Sequence, residues 1–414
     1  DVSATEYEKA SRLLGRPLSE VKLTDVDIRL LIHGSRMPQA QAHIDSAVEA
    51  IKDFGLWYGR YPYPTLTIVD PAPGAAGAFG MEYPTLITAG TSATMNYWPF
   101  NSMRNVEGVV IHEFGHQFWY GMVANNEFEE AWLDEGITSY STGKVAEFAY
   151  GSDATIGTLM GIKLPLMLES RSQNSPNRRS DPILNFSWQY ESSGAYAFAS
   201  YAKAEIVLRT LEGYLGEQTM ARVMRTYHER WRFRHPSSED FFAVANEVAG
   251  KDLSWFFNET MRGTGILDYA VASATTRATR EPVGVFDGKS GRTTKLEKDA
   301  KRAEGDRADR GPYESTVLLQ RRGDIVFPVN VALTFSDGHV ERVAWDGRDR
   351  WKKIRVTRPQ KLLSANIDPE RKVWLDVDWL NNWMRVEPDR RVAFSWATRV
   401  TYWVQNILTT LSGL

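Results

Sequence analysis

With 414 residues, 43% of them hydrophobic, the chain is long enough for two or three domains and can build a large core. Its net charge of −3 and pI near 6.2 give no broad basic field, which argues against nucleic acid as a partner. The absence of cysteine excludes a disulfide framework, thiolate-bound metal and a thiol nucleophile, and leaves the compartment open.

Residues 1–38 read as irregular structure followed by a strand, because Val26, Ile28, Leu30 and Ile32 alternate with polar positions. His43 to Tyr58 has the spacing of an amphipathic helix. Leu66 to Val69 reads as a short buried strand, ended by the breakers Pro71-Ala72-Pro73-Gly74. Val106 to Gly121 is an apolar helix pattern with Val109, Val110, Phe114, Phe118 and Trp119 around its body. The polar stretch Ser170 to Ser193 is expected to be a surface loop. Helical spacing then runs through Ala197–Tyr214, Thr219–Arg230, Ser238–Ala249 and Asp252–Met261.

After Ile266 the period changes to two. Strand patterns at Ser315–Gln320, Ile325–Phe335, Val340–Trp345 and Trp351–Val356, with a turn at Ser336 to His339, predict a β-sandwich over 267–385. Within it, 288–311 is charged and nearly free of large apolar residues, and is expected to be a mobile loop. The segment 386–414 predicts an amphipathic helix centred on 393–411, with Arg399 as the only charge in that core. No apolar run reaches the roughly 18 residues of a spanning helix. A lone cation attracts anionic lipid weakly, so a packed helix is favoured over contact with a membrane surface.

The chemistry concentrates at His112-Glu113-Phe114-Gly115-His116. Positions four apart share a helix face, so His112 and His116 can address one ion. Eighteen residues later, Glu135 can return on a second helix as a third ligand. Two imidazoles, one carboxylate and an open position form the ligand set of a hydrolytic zinc ion, whereas structural zinc is closed by four protein ligands. Glu113 is placed to take a proton from a zinc-activated water. Asp134 adjoins Glu135, and neighbouring helical positions do not face each other; it is assigned no role. Asn125 and Asn126 are candidate caps for the second ligand helix.

Four stretches in this order resemble the M1 family of zinc aminopeptidases. Gly80-Met81-Glu82 matches the middle of the family's G-x-M-E-N motif, and His112 to His116 with Glu135 matches its zinc signature. Trp132 to Gly136 matches the surroundings of the third ligand, and Ser200-Tyr201-Ala202-Lys203 the segment of the catalytic tyrosine. The resemblance covers roughly residues 55 to 265 and implies one Zn²⁺ held by His112, His116 and Glu135. It implies Glu113 and Tyr201 as catalytic residues, with Tyr196 the rival tyrosine. Glu82, with Gly80 and Met81, is implied to bind a peptide with a free N-terminus. The family's Asn after that Glu is Tyr83 here, followed by Pro84, which leaves side-chain preference open.

The implied fold is a multidomain α+β protein. It has a mainly helical, thermolysin-like zinc peptidase domain over 39–266, then the small β-sandwich and the C-terminal helix. Residues 1–38 are then the tail of the family's N-terminal β-domain, in a fragment or a reduced architecture. The implied activity is hydrolysis of the N-terminal peptide bond. A thermolysin-like endopeptidase, and a non-catalytic peptide-binding or assembly module retaining the zinc site, are the alternatives.

Overall fold

The computed structural model describes all residues except 1, 154, 160, 175–180, 280–283, 289–290, 296–311, 389 and 413–414. The chain divides into two compact units, and the division does not follow the sequence simply. The first unit comprises residues 1–267 together with 323–325 and 371–377. The second comprises 268–322, 326–370 and 378–414.

The first unit opens with helices α1 (Ala4–Leu14) and α2 (Leu18–Val21), then strand β1 (Asp27–Leu31). Ser3 caps α1 reciprocally with Glu6, which satisfies two orphan helix donors. Helix α3 (Ala40–Trp57) and strands β2 (Thr65–Val69), β3 (Gly80–Tyr83) and β4 (Leu86–Ala89) follow. The sheet order is β1-β2-β4-β3. β1, β2 and β4 are parallel, and β3 runs antiparallel at the edge. Residues 4–31 therefore hold two helices and then a strand of this sheet. The start expected to be irregular is helical, and the strand read from the alternation is found. The alternation at Val26–Ile32 shows a half-buried strand but carries no information about its partner.

Helices α4 (Asn105–Gly115) and α5 (Ala131–Tyr150) carry the histidines and the distant glutamate. α4 is shorter than its apolar pattern: His116 is its C-cap, and the chain then turns through Tyr120, whose φ is 113°. Phe118 and Trp119 are fully buried in that turn, so their apolarity serves the core and not a helix face. Phe54 of α3 meets Phe114 and Phe118 with ring centroids 5.8 and 5.3 Å apart. Burying each such side chain contributes about 1.5–3 kcal/mol, and together they fix α4 against α3. α5 is buried on nearly every face, with Trp132, Leu133, Ile137, Tyr140 and Val145 in the core.

A small hairpin, β5 (Gly157–Leu159) with β6 (Ile162–Leu164), and helix α6 (Leu166–Gln173) come next. The expected loop over 170–193 thus begins in a helix, and its residues 175–180 lie outside the described residues. Helix α7 (Ser193–Ala197) runs into a π-helical stretch, Phe198–Lys203, and on into α8 (Ala204–Leu215). Helices α9 (Glu217–Trp231), α10 (Ser238–Ala249) and α11 (Ser254–Phe257) complete this part.

The second unit is built from antiparallel sheets. One has the order β13-β10-β7, with β7 Tyr269–Ala278, β10 Tyr313–Arg321 and β13 Trp351–Arg358. The other has the order β12-β11-β14-β15, with β11 Val329–Phe335, β12 Val340–Trp345, β14 Leu362–Ile367 and β15 Trp383–Arg385. Strands β8 (Gly284–Gly288) and β9 (Gly291–Lys295) form a hairpin, so 288 and 291–295 of the expected loop are strand. Its residues 289–290 and 296–311 lie outside the described residues.

The C-terminal helix spans Arg390–Ser412. Its described side chains from 393 to 409 are exposed, Phe394 at 76% and Trp403 at 45%. Among the described residues of its own unit, the favoured packing of this helix is therefore not found. Among the described residues, no helix is long and apolar enough to cross a membrane.

Candidate metal and peptidase site

His112, His116 and Glu135 are brought to one point. His112 Nε2 and His116 Nε2 lie 3.2 Å apart, and each is 3.3 Å from Glu135 Oε2. Ligand atoms about 2.0–2.1 Å from a tetrahedral zinc ion stand about 3.3–3.4 Å from one another, so the three atoms have the spacing that ion requires. The donor set of two imidazoles and a carboxylate suits zinc.

The rest of His116 is held from behind. Its Nδ1 lies 2.5 Å from Asp134 Oδ1, and 3.3 Å from the Trp119 carbonyl and Thr138 Oγ1. Burial alone would lower the proton affinity of this ring, and the Asp134 carboxylate outweighs that and raises it. A carboxylate on the far nitrogen of a ligand histidine fixes its tautomer and strengthens its basicity. Helical spacing gives no sign of this role for Asp134. Residues 134 and 135 do point apart, but the imidazole of His116 lies between them, so Glu135 reaches one nitrogen and Asp134 the other.

Glu113 is 7% exposed. Burial pushes its carboxyl up, against the pull of His112 and His116. It packs on the backbone of Gly80 so closely that any side chain at Gly80 would overlap its Oε1. One oxygen each of Glu82 and Glu113 and a nitrogen of His116 fall within 4.8 Å of one another. Glu82 is therefore at the site, on an edge strand. Met81 pairs with Thr88 in the β3–β4 register, and Gln117 holds the end of that hairpin by donating to the Tyr83 carbonyl at 2.9 Å. Glu127 joins the group from the loop between α4 and α5, with oxygens of Glu82, Glu127 and Asp134 within 4.8 Å. Nothing in the spacing of the chain pointed to Glu127.

Tyr201 sits in the π-helical stretch, a distortion that recurs at functional sites. Its hydroxyl donates to Glu135 Oε1 at 2.5 Å, and its ring stacks on His112 with centroids 5.9 Å apart. Burial, reinforced by Glu135, pushes its ionisation far up, so it stays a donor. Tyr196 instead meets Tyr190, ring centroids 5.5 Å apart. Gly136 sets the distance between the Glu135 and Tyr201 segments: a Cβ there would overlap that of Ala204 and stand 2.9 Å from the Ser200 carbonyl. Asn125 and Asn126 do not cap α5. Asn125 donates to the Glu130 carbonyl at 3.2 Å, and Asn126 accepts from the Phe128 amide.

The family model described as Peptidase family M1 domain matches residues 43–260, just over half of the chain. Aminopeptidase M1-B of Oryza sativa subsp. japonica is 25% identical over 239 residues, 55% of this chain and 26% of its own length. Puromycin-sensitive aminopeptidase of Caenorhabditis elegans is 25% identical over 276 residues, 63% of this chain and 28% of its own. The chain thus spans about a quarter of the length of these curated relatives. Among solved structures, Legionella pneumophila aminopeptidase A in complex with aspartic acid matches with a TM-score of 0.57 at 14% identity. That match covers 84% of this chain and 36% of the other. With its zinc-spaced ligand triangle inside the matched span, this chain belongs to peptidase family M1.

Proposed function

We propose that the chain is the catalytic part of a zinc-dependent aminopeptidase, hydrolysing the N-terminal bond of peptides with a free amino group. The observation that carries this reading is the meeting of a zinc-spaced triangle, a buried glutamate and an edge-strand glutamate within one small volume. His112, His116 and Glu135 would hold the ion. Zinc in such a site polarises the substrate carbonyl and brings the pKa of water to about 7.

Glu113 takes the proton from the attacking water and later delivers it to the leaving amine; its burial raises its proton affinity toward that double task. Tyr201 donates to the oxygen on which negative charge develops, and releases Glu135 Oε1 to do so. Glu82 pairs with the substrate ammonium and sets how far the amine lies from the cleaved carbonyl.

The test is a panel of aminoacyl amides with the zinc-loaded protein, beside Glu113→Gln. Turnover that disappears with chelator, and falls about 10²–10⁴-fold in the variant while zinc content is kept, is the expected result. Turnover indifferent to both sinks the reading.

A further inference from the structure

A cavity of about 350 Å³ opens beside the site and has no role in the chemistry above. It lies where the parallel strands end. Arg36 follows β1, Pro71 to Ala75 follow β2, and Thr91 to Ala93 follow β4. The carboxyl ends of parallel strands are the usual place for ligands in α/β sheets. Two buried polar groups line it. Thr91 is 2% exposed, and its hydroxyl has no hydrogen-bond partner among the described residues. Arg36 is 8% exposed, with one nitrogen bound to Asp70 and to the Pro71 carbonyl at 2.8 Å. Asp70 neutralises its charge, so the wall offers hydrogen bonds without a net field. The rest is mostly small and apolar, prolines, alanines, glycines and the ring of Phe79, with Ser35 and Ser92 adding two hydroxyls.

Its place follows from β3. Phe79 lines the cavity, Gly80 next to it packs on Glu113, and Glu82 lies two residues further on. A peptide held by its amine at Glu82 and cut beside Glu113 must send its remaining residues toward Phe79. Glu82 to Phe79 is three strand steps, about 10 Å, the length of three extended residues. We propose that this cavity receives the substrate on the leaving side of the cleaved bond, from about its third residue, and makes the enzyme select peptides over isolated aminoacyl amides. The site would take an apolar side chain while Ser92 and Arg36 bond the peptide backbone. The proposal rests on the aminopeptidase reading for its direction.

The zinc-loaded protein is assayed on an aminoacyl 4-nitroanilide and on peptides of two to five residues with the same first residue. The expected kcat/KM rises about tenfold once the third or fourth residue is present, and Ala93→Trp and Ala75→Trp, both at exposed positions of the cavity wall, each erase that rise. A flat length profile, or the same rise in both filled variants, overturns the proposal. A binding arm separates it from the reading beneath. In the Glu113→Gln background, a tetrapeptide is titrated with and without Ala93→Trp. Binding weakened about tenfold by Ala93→Trp, in a protein whose parent cleaves nothing, sinks the enzyme reading and keeps the subsite. Equal binding in both sinks the subsite alone.

Discussion

Tyr201→Phe removes one oxygen and leaves the ring that stacks on His112, 15° from parallel. That oxygen stands 2.5 Å from Glu135 Oε1 and has two conceivable duties. It can stabilise charge developing on the substrate, or it can only hold a metal ligand in place. The magnitudes separate them. Losing one preorganised donor to an oxyanion costs about 10²–10³ in kcat, roughly 3–4 kcal/mol, and leaves the ground state little changed. Losing a partner of a metal ligand costs about 10–100-fold in metal affinity, and added metal restores the rate. The structure favours the first. Glu135 already meets both histidines through its other oxygen, and the ring of Tyr201 still shields that corner. The expected result at saturating zinc is a kcat lower by two to three orders of magnitude, with KM within about threefold and zinc binding within about tenfold. Steady-state kinetics on an aminoacyl amide, with zinc titrated in parallel, reads all three. A kcat within about fivefold of wild type at saturating zinc refutes the role. Because burial and Glu135 keep the phenol protonated, no alkaline limb of the rate profile belongs to Tyr201.

Glu82→Gln keeps the size of the side chain and removes its charge. It is expected to lower kcat/KM for free-amine substrates about 10²-fold and to spare amine-blocked peptides; an equal loss on both would mean that Glu82 does not read the amine. Gly136→Ala places a methyl against Ala204 and the Ser200 carbonyl and is expected to cost about 1–3 kcal/mol in a denaturant titration, with kcat reduced as Tyr201 and Glu135 move apart. Unchanged stability and rate would show that the helices give way freely. Asp53 is fully buried, neither of its oxygens has a hydrogen-bond partner among the described residues, and burial raises its carboxyl from 3.8 to about 7. An acid whose folded value is raised binds its proton more tightly in the native state, so stability falls as pH climbs from near 4 to 7 and stays low above. Asp53→Asn should therefore stabilise increasingly across that window, by up to about 4 kcal/mol, measured as the difference in unfolding free energy between variant and wild type. A difference independent of pH would mean the carboxylate is solvated or paired.

What the chain discloses about itself depends on how far apart the cooperating residues lie. His112, Glu113 and His116 are legible because helix geometry alone places positions four apart on one face. Glu135 and Glu82 become legible only through the order of several short motifs, since no local rule joins a strand, a helix and a second helix. The π-helical turn at Phe198–Lys203 has no sequence signal, because it is made by packing: Gly136 brings α5 against the Ser200 carbonyl, and the segment widens where Tyr201 must reach Glu135. Asp134 shows the limit of periodicity most clearly. The rule that neighbours on a helix diverge is correct, yet a ring with a nitrogen on each side lets diverging carboxylates serve one residue. The same holds at the start of the chain, where alternation identified a strand while its parallel partner lies beyond α3. Glu127 extends the point to a loop. Its carboxylate reaches the Glu82 group from a loop whose course is set by Trp119, Tyr120 and Val123 folding back beneath it. A charge that becomes part of a site through a loop's path cannot be read from spacing. The presence of Glu127 in this group is therefore known only from the folded chain.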